Sequence, residues 1–132
     1  MELTGGCLCG GVRLRLSGEV RAPLVCHCED CRRWHGAAPA FVAVPRAGLM
    51  VEGEVSWYAA PGKPPRGFCP TCGSSLLWSA PERDTIGVVA GVVDQPTGLS
   101  VAGHIFTADR ADYDPPPPRG LPTYPGPVCD GS

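Results

Sequence analysis

The sequence predicts a mainly β, antiparallel domain, and three observations carry that expectation. Glycine and proline are both abundant, 18 and 16 of 132 residues, a composition that interrupts long helices and favours short strands joined by turns. Hydrophobic residues make up 43% of the chain against 18% charged, enough apolar surface for one core of modest size. The apolar residues fall in short runs between glycine and proline punctuation rather than in a long helical period.

Taken in chain order, Val12, Leu14 and Leu16 alternate with Arg13 and Arg15, the period of a half-buried strand that Ser17 and Gly18 close. Residues 39–45 (PAFVAVP), 49–53 (LMVEG), 54–62 (EVSWYAAPG), 74–81 (SSLLWSAP) and 85–94 (TIGVVAGVVD) read as further short strands. The one helical candidate is a turn or two between Glu29 and His35. From Asp109 the composition shifts, and four consecutive prolines, Pro115 to Pro118, predict an extended polyproline segment on the surface. The expected organisation is one β domain over residues 1–114 and a Pro/Gly-rich tail over 115–132.

Eleven basic against thirteen acidic residues give a formal charge of -2, and Lys63 is the only lysine. No basic stripe exists to track a phosphate backbone, which argues against a nucleic-acid partner. The opening MELTGGCLCGG lacks the basic start and apolar stretch of a secretory signal, and no apolar segment is long enough to span a bilayer. The expectation is a cytoplasmic protein without a membrane partner. In a reducing compartment, eight cysteines point to metal rather than to disulfides.

Cysteine spacing divides the metal-binding task. The C-x-x-C of FCPTCGS (68–74) forms a turn that directs Cys69 and Cys72 inward, with Gly73 available for the positive φ of the exit. GGCLCGG offers Cys7 and Cys9, which an extended C-x-C would project to one side with Leu8 on the other. Together these make a closed structural zinc site of four cysteines. Cys26, Cys28 and Cys31 remain as a separate C-x-C-x-x-C group, and three thiolates with an open fourth position are the mark of a catalytic zinc. Two zinc ions per chain are therefore expected.

Alternatives stand beside that grouping. Cys69 and Cys72 could pair with two of the middle cysteines, which would strand three sulfurs; a redox C-x-x-C would need a βαβ setting that the surrounding turn pattern lacks. Alternation turns His27 away from its flanking cysteines, so a hydrogen-bonded or exposed histidine is expected there rather than a ligand. His35, four residues after Cys31, could close the open site on a continuing helix, but Gly36 and the following AAP suggest that the helix stops. Cys129 lies alone in the tail and reads as a lone thiol. With seven thiolates the overall field is acidic, so an acidic substrate would need local arginines such as Arg32, Arg33 or Arg66.

The motifs GGCLCGGVRLRL, CHCEDCRRWHGA, FCPTCGSSL, AGVVDQP, HIF and LPTYPG, in that order, resemble the glutathione-dependent formaldehyde-activating enzyme family, also called the centromere protein V family. The resemblance covers nearly the whole chain. It implies the Mss4-like fold, a twisted antiparallel β-structure with zinc-binding turns. It also implies a structural zinc on Cys7, Cys9, Cys69 and Cys72, and a second zinc on Cys26, Cys28 and Cys31. One departure is Tyr113 in DRADYD, where the family often carries a tryptophan.

The activity that the resemblance implies is a zinc-dependent carbon–sulfur lyase acting on a thiol/aldehyde adduct such as S-hydroxymethylglutathione, the product of glutathione and formaldehyde. Its partners would be a small-molecule thiol and an aldehyde. Three thiolates make zinc a weak Lewis acid but a good holder of a fourth sulfur, so the expected mechanism is zinc-held substrate thiolate, with a nearby histidine or water taking the proton. The alternative is a non-catalytic module in which both zincs are structural and the β-surface binds a protein.

Overall fold

The computed structural model describes residues 2–127. In chain order the elements are β1 (Glu2–Gly6), β2 (Arg13–Ser17), β3 (Arg21–Cys26), α1 (Glu29–His35), β4 (Ala40–Pro45), β5 (Leu49–Glu52), β6 (Ser56–Tyr58), β7 (Arg66–Phe68), β8 (Ser75–Trp78), β9 (Thr85–Val89) and β10 (Gly103–Ile105). The mainly β class is thus observed, and the one α-helix among the described residues lies where the sequence predicts it. Cα proximity gathers the chain into two compact units, Met1–Arg21 with Val42–Gly98, and Ala22–Phe41 with Leu99–Ser132.

In the first unit, β1, β2 and β5 form an antiparallel sheet in that order, with Leu3 opposite Leu16 and Leu14 opposite Val51. The alternation read in the sequence is realised there: Leu14 and Leu16 are buried while Arg13 and Arg15 face out. A second array runs in the order β4, β9, β8, β7, β6, with antiparallel pairing of β6 to β7, β7 to β8 and β8 to β9. Val42, Val44, Leu76 and Val88 are its most deeply buried side chains.

The strand expected over 85–94 ends at Val89, and a 3-10 turn over Ala90–Val92 follows. That turn lets the chain meet β1: Val93 bridges Gly5, and the Asp94 N–H donates to the Thr4 carbonyl at 2.8 Å. Asp94 fastens the junction through its carboxylate, which accepts from the Thr4 hydroxyl at 2.7 Å and from the Arg13 guanidinium at 2.8 Å.

The second unit contains β3, α1 and β10. Here the pairing is parallel rather than antiparallel, with Leu24, Val25 and Cys26 opposite Gly103, His104 and Ile105. The chain beyond the four prolines gives β10 a second partner. His104 N–H donates to the Pro122 carbonyl at 3.0 Å, Tyr124 N–H to the His104 carbonyl at 2.9 Å, and Phe106 N–H to the Gly126 carbonyl at 3.0 Å. Thr123 and His104 form a parallel bridge. No helix among the described residues is long and apolar enough to cross a membrane.

Four strands are absent from the sequence reading, the three-residue β10 among them. Glycine-rich β1 and three-residue β7 carry little periodic signal, and Pro23 lies within β3. β3 and β10 gain their order from each other although far apart in the chain, whereas β1 and β7 are ordered by the strands next to them in sequence.

Candidate metal centres

Cys7, Cys9, Cys69 and Cys72 come together in the first unit, their Sγ atoms all within 4.8 Å of one another. The first pair sits in a tight turn at the end of β1, closed by the Gly10 N–H donating to the Cys7 carbonyl at 3.2 Å. This corrects the extended C-x-C expected there: a turn, not strand alternation, makes the two sulfurs converge to 3.6 Å, with Leu8 pointing into solvent at 89% exposure. The second pair occupies the connection between β7 and β8. Gly73 has φ +80°, as expected, and its N–H donates to the Cys69 carbonyl at 2.9 Å.

Backbone N–H groups point at the sulfurs of this centre. Val12 donates to Cys7 Sγ at 3.2 Å, Gly11 to Cys9 Sγ at 3.4 Å, and Thr71 and Cys72 to Cys69 Sγ at 3.4 and 3.5 Å. Such donors favour thiolates over thiols. The Ser74 hydroxyl, 3.1 Å from Cys72 Sγ, together with the Ser74 and Cys9 N–H groups, holds the Cys72 thiol down to about 5. At Cys9 the Gly11 N–H pulls the other way, but the crowded sulfurs of Cys7 and its neighbours push the thiol up to about 11. Four thiolates this close repel one another unless a cation lies among them. Cys9 and Cys69 are 3.8 Å apart, close to the spacing of about 3.8 Å that metal–sulfur bonds of about 2.3 Å give in a tetrahedron.

Cys26, Cys28 and Cys31 form the second cluster, in the second unit, with their sulfurs also within 4.8 Å of one another. Cys26 ends β3, Cys28 is in extended conformation at φ -63° and ψ 153°, and Cys31 lies in the first turn of α1. Extended alternation and then a helical turn therefore bring the three side chains to one point, as the spacing predicts. Cys28 caps the helix, its Sγ accepting from the Cys31 N–H at 3.3 Å. The neighbouring Cys28 and Cys31 sulfurs, reinforced by burial, push the Cys26 thiol well above its ordinary range. Three buried or half-buried sulfurs need a cation to ionise together. None of the described cysteines is in a disulfide, and Cys129 lies outside the described residues.

Neither histidine near the cluster contributes a nitrogen to it among the described residues. The His35 ring meets Phe41 edge-on at a centroid separation of 5.4 Å, and α1 stops there with Gly36 at φ +80° donating to the Arg32 carbonyl at 2.8 Å. His27 is buried, with its Nε2 2.9 Å from His104 Nδ1 and the two rings stacked. Burial, then the neighbouring His104, lowers the pKa of His27; burial does the same to His104. Sequence reasoning left the role of His27 open and assigned none to His104, because partners 77 residues apart leave no local pattern; it also passed over Ser74, although that hydroxyl lies only two residues from Cys72. Arg33 pairs with Glu29 at 2.8 Å one helical turn earlier, Arg32 is half-buried on the same helix, and Arg66 lies on β7 in the other unit. Tyr113 is 69% exposed.

Residues 2–109 match the model of the family described as glutathione-dependent formaldehyde-activating enzyme. The chain belongs to that family. A relative in Schizosaccharomyces pombe, named an uncharacterized lyase, is 32% identical over 79 residues, which are 59% of this chain and 58% of that protein. The chain thus spans less than two thirds of the length of this curated relative. A crystal structure of a Rhodobacter sphaeroides protein superimposes with a TM-score of 0.55 at 22% identity, covering 70% of this chain and 88% of the other. That likeness concerns the fold alone. Within the glutathione-dependent formaldehyde-activating enzyme family, this member has two cysteine clusters that could each hold a metal ion, of four and of three sulfurs.

Proposed function

We propose that the protein is a zinc-dependent carbon–sulfur lyase acting on a thiol/aldehyde adduct such as S-hydroxymethylglutathione, in either direction. The observation that carries this reading is the difference between the two clusters, four sulfurs in one and, among the described residues, three in the other, a number that would leave a fourth position for a substrate. Family membership and the lyase name of the S. pombe relative support the reaction class. The all-sulfur donor sets, with N–H groups aimed at the sulfurs, suit zinc among the soft and borderline divalent ions.

When bound by Cys26, Cys28 and Cys31, zinc supplies charge that favours a substrate sulfur in its thiolate form. The chain's own part is to hold the three sulfurs at one point: Cys26 by the β3–β10 pairing, Cys28 as helix cap, Cys31 from the first turn of α1. In the forward direction the substrate sulfur forms a bond to the aldehyde carbon, the carbonyl oxygen takes a proton, and the thiol proton leaves to water or an imidazole. No electron is gained or lost overall. Cys7, Cys9, Cys69 and Cys72 hold the other zinc as a structural staple between the start of the chain and the β7–β8 connection.

Mixing the purified, zinc-loaded chain with glutathione and formaldehyde and following adduct formation tests the proposal. The expected result is a rate above the uncatalysed control that Cys28→Ser abolishes. No acceleration, in the presence of a full complement of zinc, would overturn it.

A further inference from the structure

A buried contact between two imidazoles involves His27, the residue between Cys26 and Cys28 in the chain. His27 is only 6% exposed, its Nε2 lies 2.9 Å from His104 Nδ1, and its Nδ1 is buried without a hydrogen-bond partner. At that separation one of the two facing nitrogens carries the hydrogen and the other accepts it. The pair is therefore held by a single directional bond.

His27 stands in the chain between Cys26 and Cys28, so whatever fixes its ring also fixes the backbone from which two of the three sulfurs project. The backbone reinforces the link: the His27 N–H donates to the Ile105 carbonyl at 3.0 Å, next to His104, and Ile105 is opposite Cys26. His104 is itself anchored from the C-terminal segment, through Pro122 and Tyr124.

We infer that His104 is a positioning residue for the three-cysteine centre: its ring holds His27 through the Nε2–Nδ1 bond and so keeps Cys26 and Cys28 in the geometry that grips a metal ion. This rests on the reading that Cys26, Cys28 and Cys31 bind metal, but not on the lyase activity. Partners behind the ligands of a metal site commonly change metal retention by about 10-fold to 100-fold when removed.

The test uses the full chain loaded with cadmium at both clusters, challenged with a chelator and followed by the thiolate-to-metal charge-transfer absorbance. His104→Leu keeps bulk but removes the bond. His104→Asn places an amide group where Nδ1 stood, whereas His104→Gln places it nearer the position of Nε2. The expected outcome is loss of cadmium from the three-cysteine centre about 10-fold faster or more in His104→Leu, a rate near the parent's in His104→Asn, and an unchanged four-cysteine centre. Equal rates in the parent and His104→Leu would overturn the inference, as would His104→Asn releasing metal as fast as His104→Leu, or both centres loosening equally. A parent that binds cadmium only at the four-cysteine centre would also overturn it. If His104→Leu does not fold, the comparison of His104→Asn with His104→Gln decides: slower release from the asparagine variant supports the inference and equal release refutes it. Faster release in His104→Leu from a protein with no lyase activity would leave this inference standing while the proposed function fell.

Discussion

The Sγ of Cys28 accepts a hydrogen bond from the backbone N–H of Cys31 at 3.3 Å, so one candidate ligand is also the cap of the helix that carries another. Helix caps satisfy N–H groups that the first turn leaves without partners, and a serine oxygen does this well.

Cys28→Ser is therefore expected to keep α1 and the fold while losing a sulfur from the three-cysteine centre. Cys28→Ala should lose both, at a further cost of about 1 kcal/mol for the missing cap. Metal content by mass spectrometry, with thermal or denaturant unfolding, checks the pair. Equal metal content in Cys28→Ser and the parent would show that the centre does not depend on this thiol.

The four-cysteine centre predicts a different response, since its cysteines join segments 60 residues apart. Cys69 is buried and lies at the heart of the β7–β8 connection. Cys69→Ser should give unstable or insoluble protein, because the binding free energy of a structural metal, about 10 kcal/mol or more, is folding free energy. Removing metal from the parent with a strong chelator should have the same effect. A soluble Cys69→Ser protein with the parent's melting temperature would assign this cluster no structural role.

Asp94 provides a pH-dependent prediction. Hydrogen bonds from Thr4 and Arg13 to its carboxylate, with the charge of Arg13, hold it below the usual carboxylate range. A depressed folded-state pKa contributes stability that is complete above the unfolded value, about 3.9, and is lost as the pH falls through the folded value. Asp94→Asn should therefore be less stable than the parent near neutrality, by a small amount because the pair is solvent-exposed. The gap should narrow as the pH falls below about 4. Denaturant titrations of both proteins across that range measure it, and a gap that widens in acid would contradict the assignment.

Gly103 tests the docking of the C-terminal segment on β10. A Cβ at this position would stand 2.8 Å from the Pro122 carbonyl oxygen, too close without displacement. Gly103→Ala should force residues 122–126 away from β10 and lower stability by about 1–3 kcal/mol. Hydrogen exchange should show weaker protection at His104 and Tyr124, whose N–H groups bond across this contact. Unchanged protection there would mean that the segment absorbs the methyl group.

Much of the candidate site was legible in the sequence because clustered cysteines leave a local signature. C-x-x-C at 69–72 and C-x-C-x-x-C at 26–31 each fit inside one turn or one strand–helix junction, and Gly36 and Gly73 mark the turns where they occur. The Val12–Leu16 alternation and the helix at Glu29–His35 were legible for the same reason: period and capping act over neighbouring residues.

Tertiary structure decided what depends on residues far apart in the chain. It set the strands β3 and β10, their parallel pairing, and the docking of residues 122–126 on β10. It also placed His104 against His27. The amino-acid sequence determined which atoms can bind metal and which short segments form strands or turns, since those choices follow from local chemistry. Which histidine faces which, and which strand runs beside Cys26, depend on long-range pairing, where many partners satisfy the same backbone hydrogen bonds and only packing of the whole unit selects one.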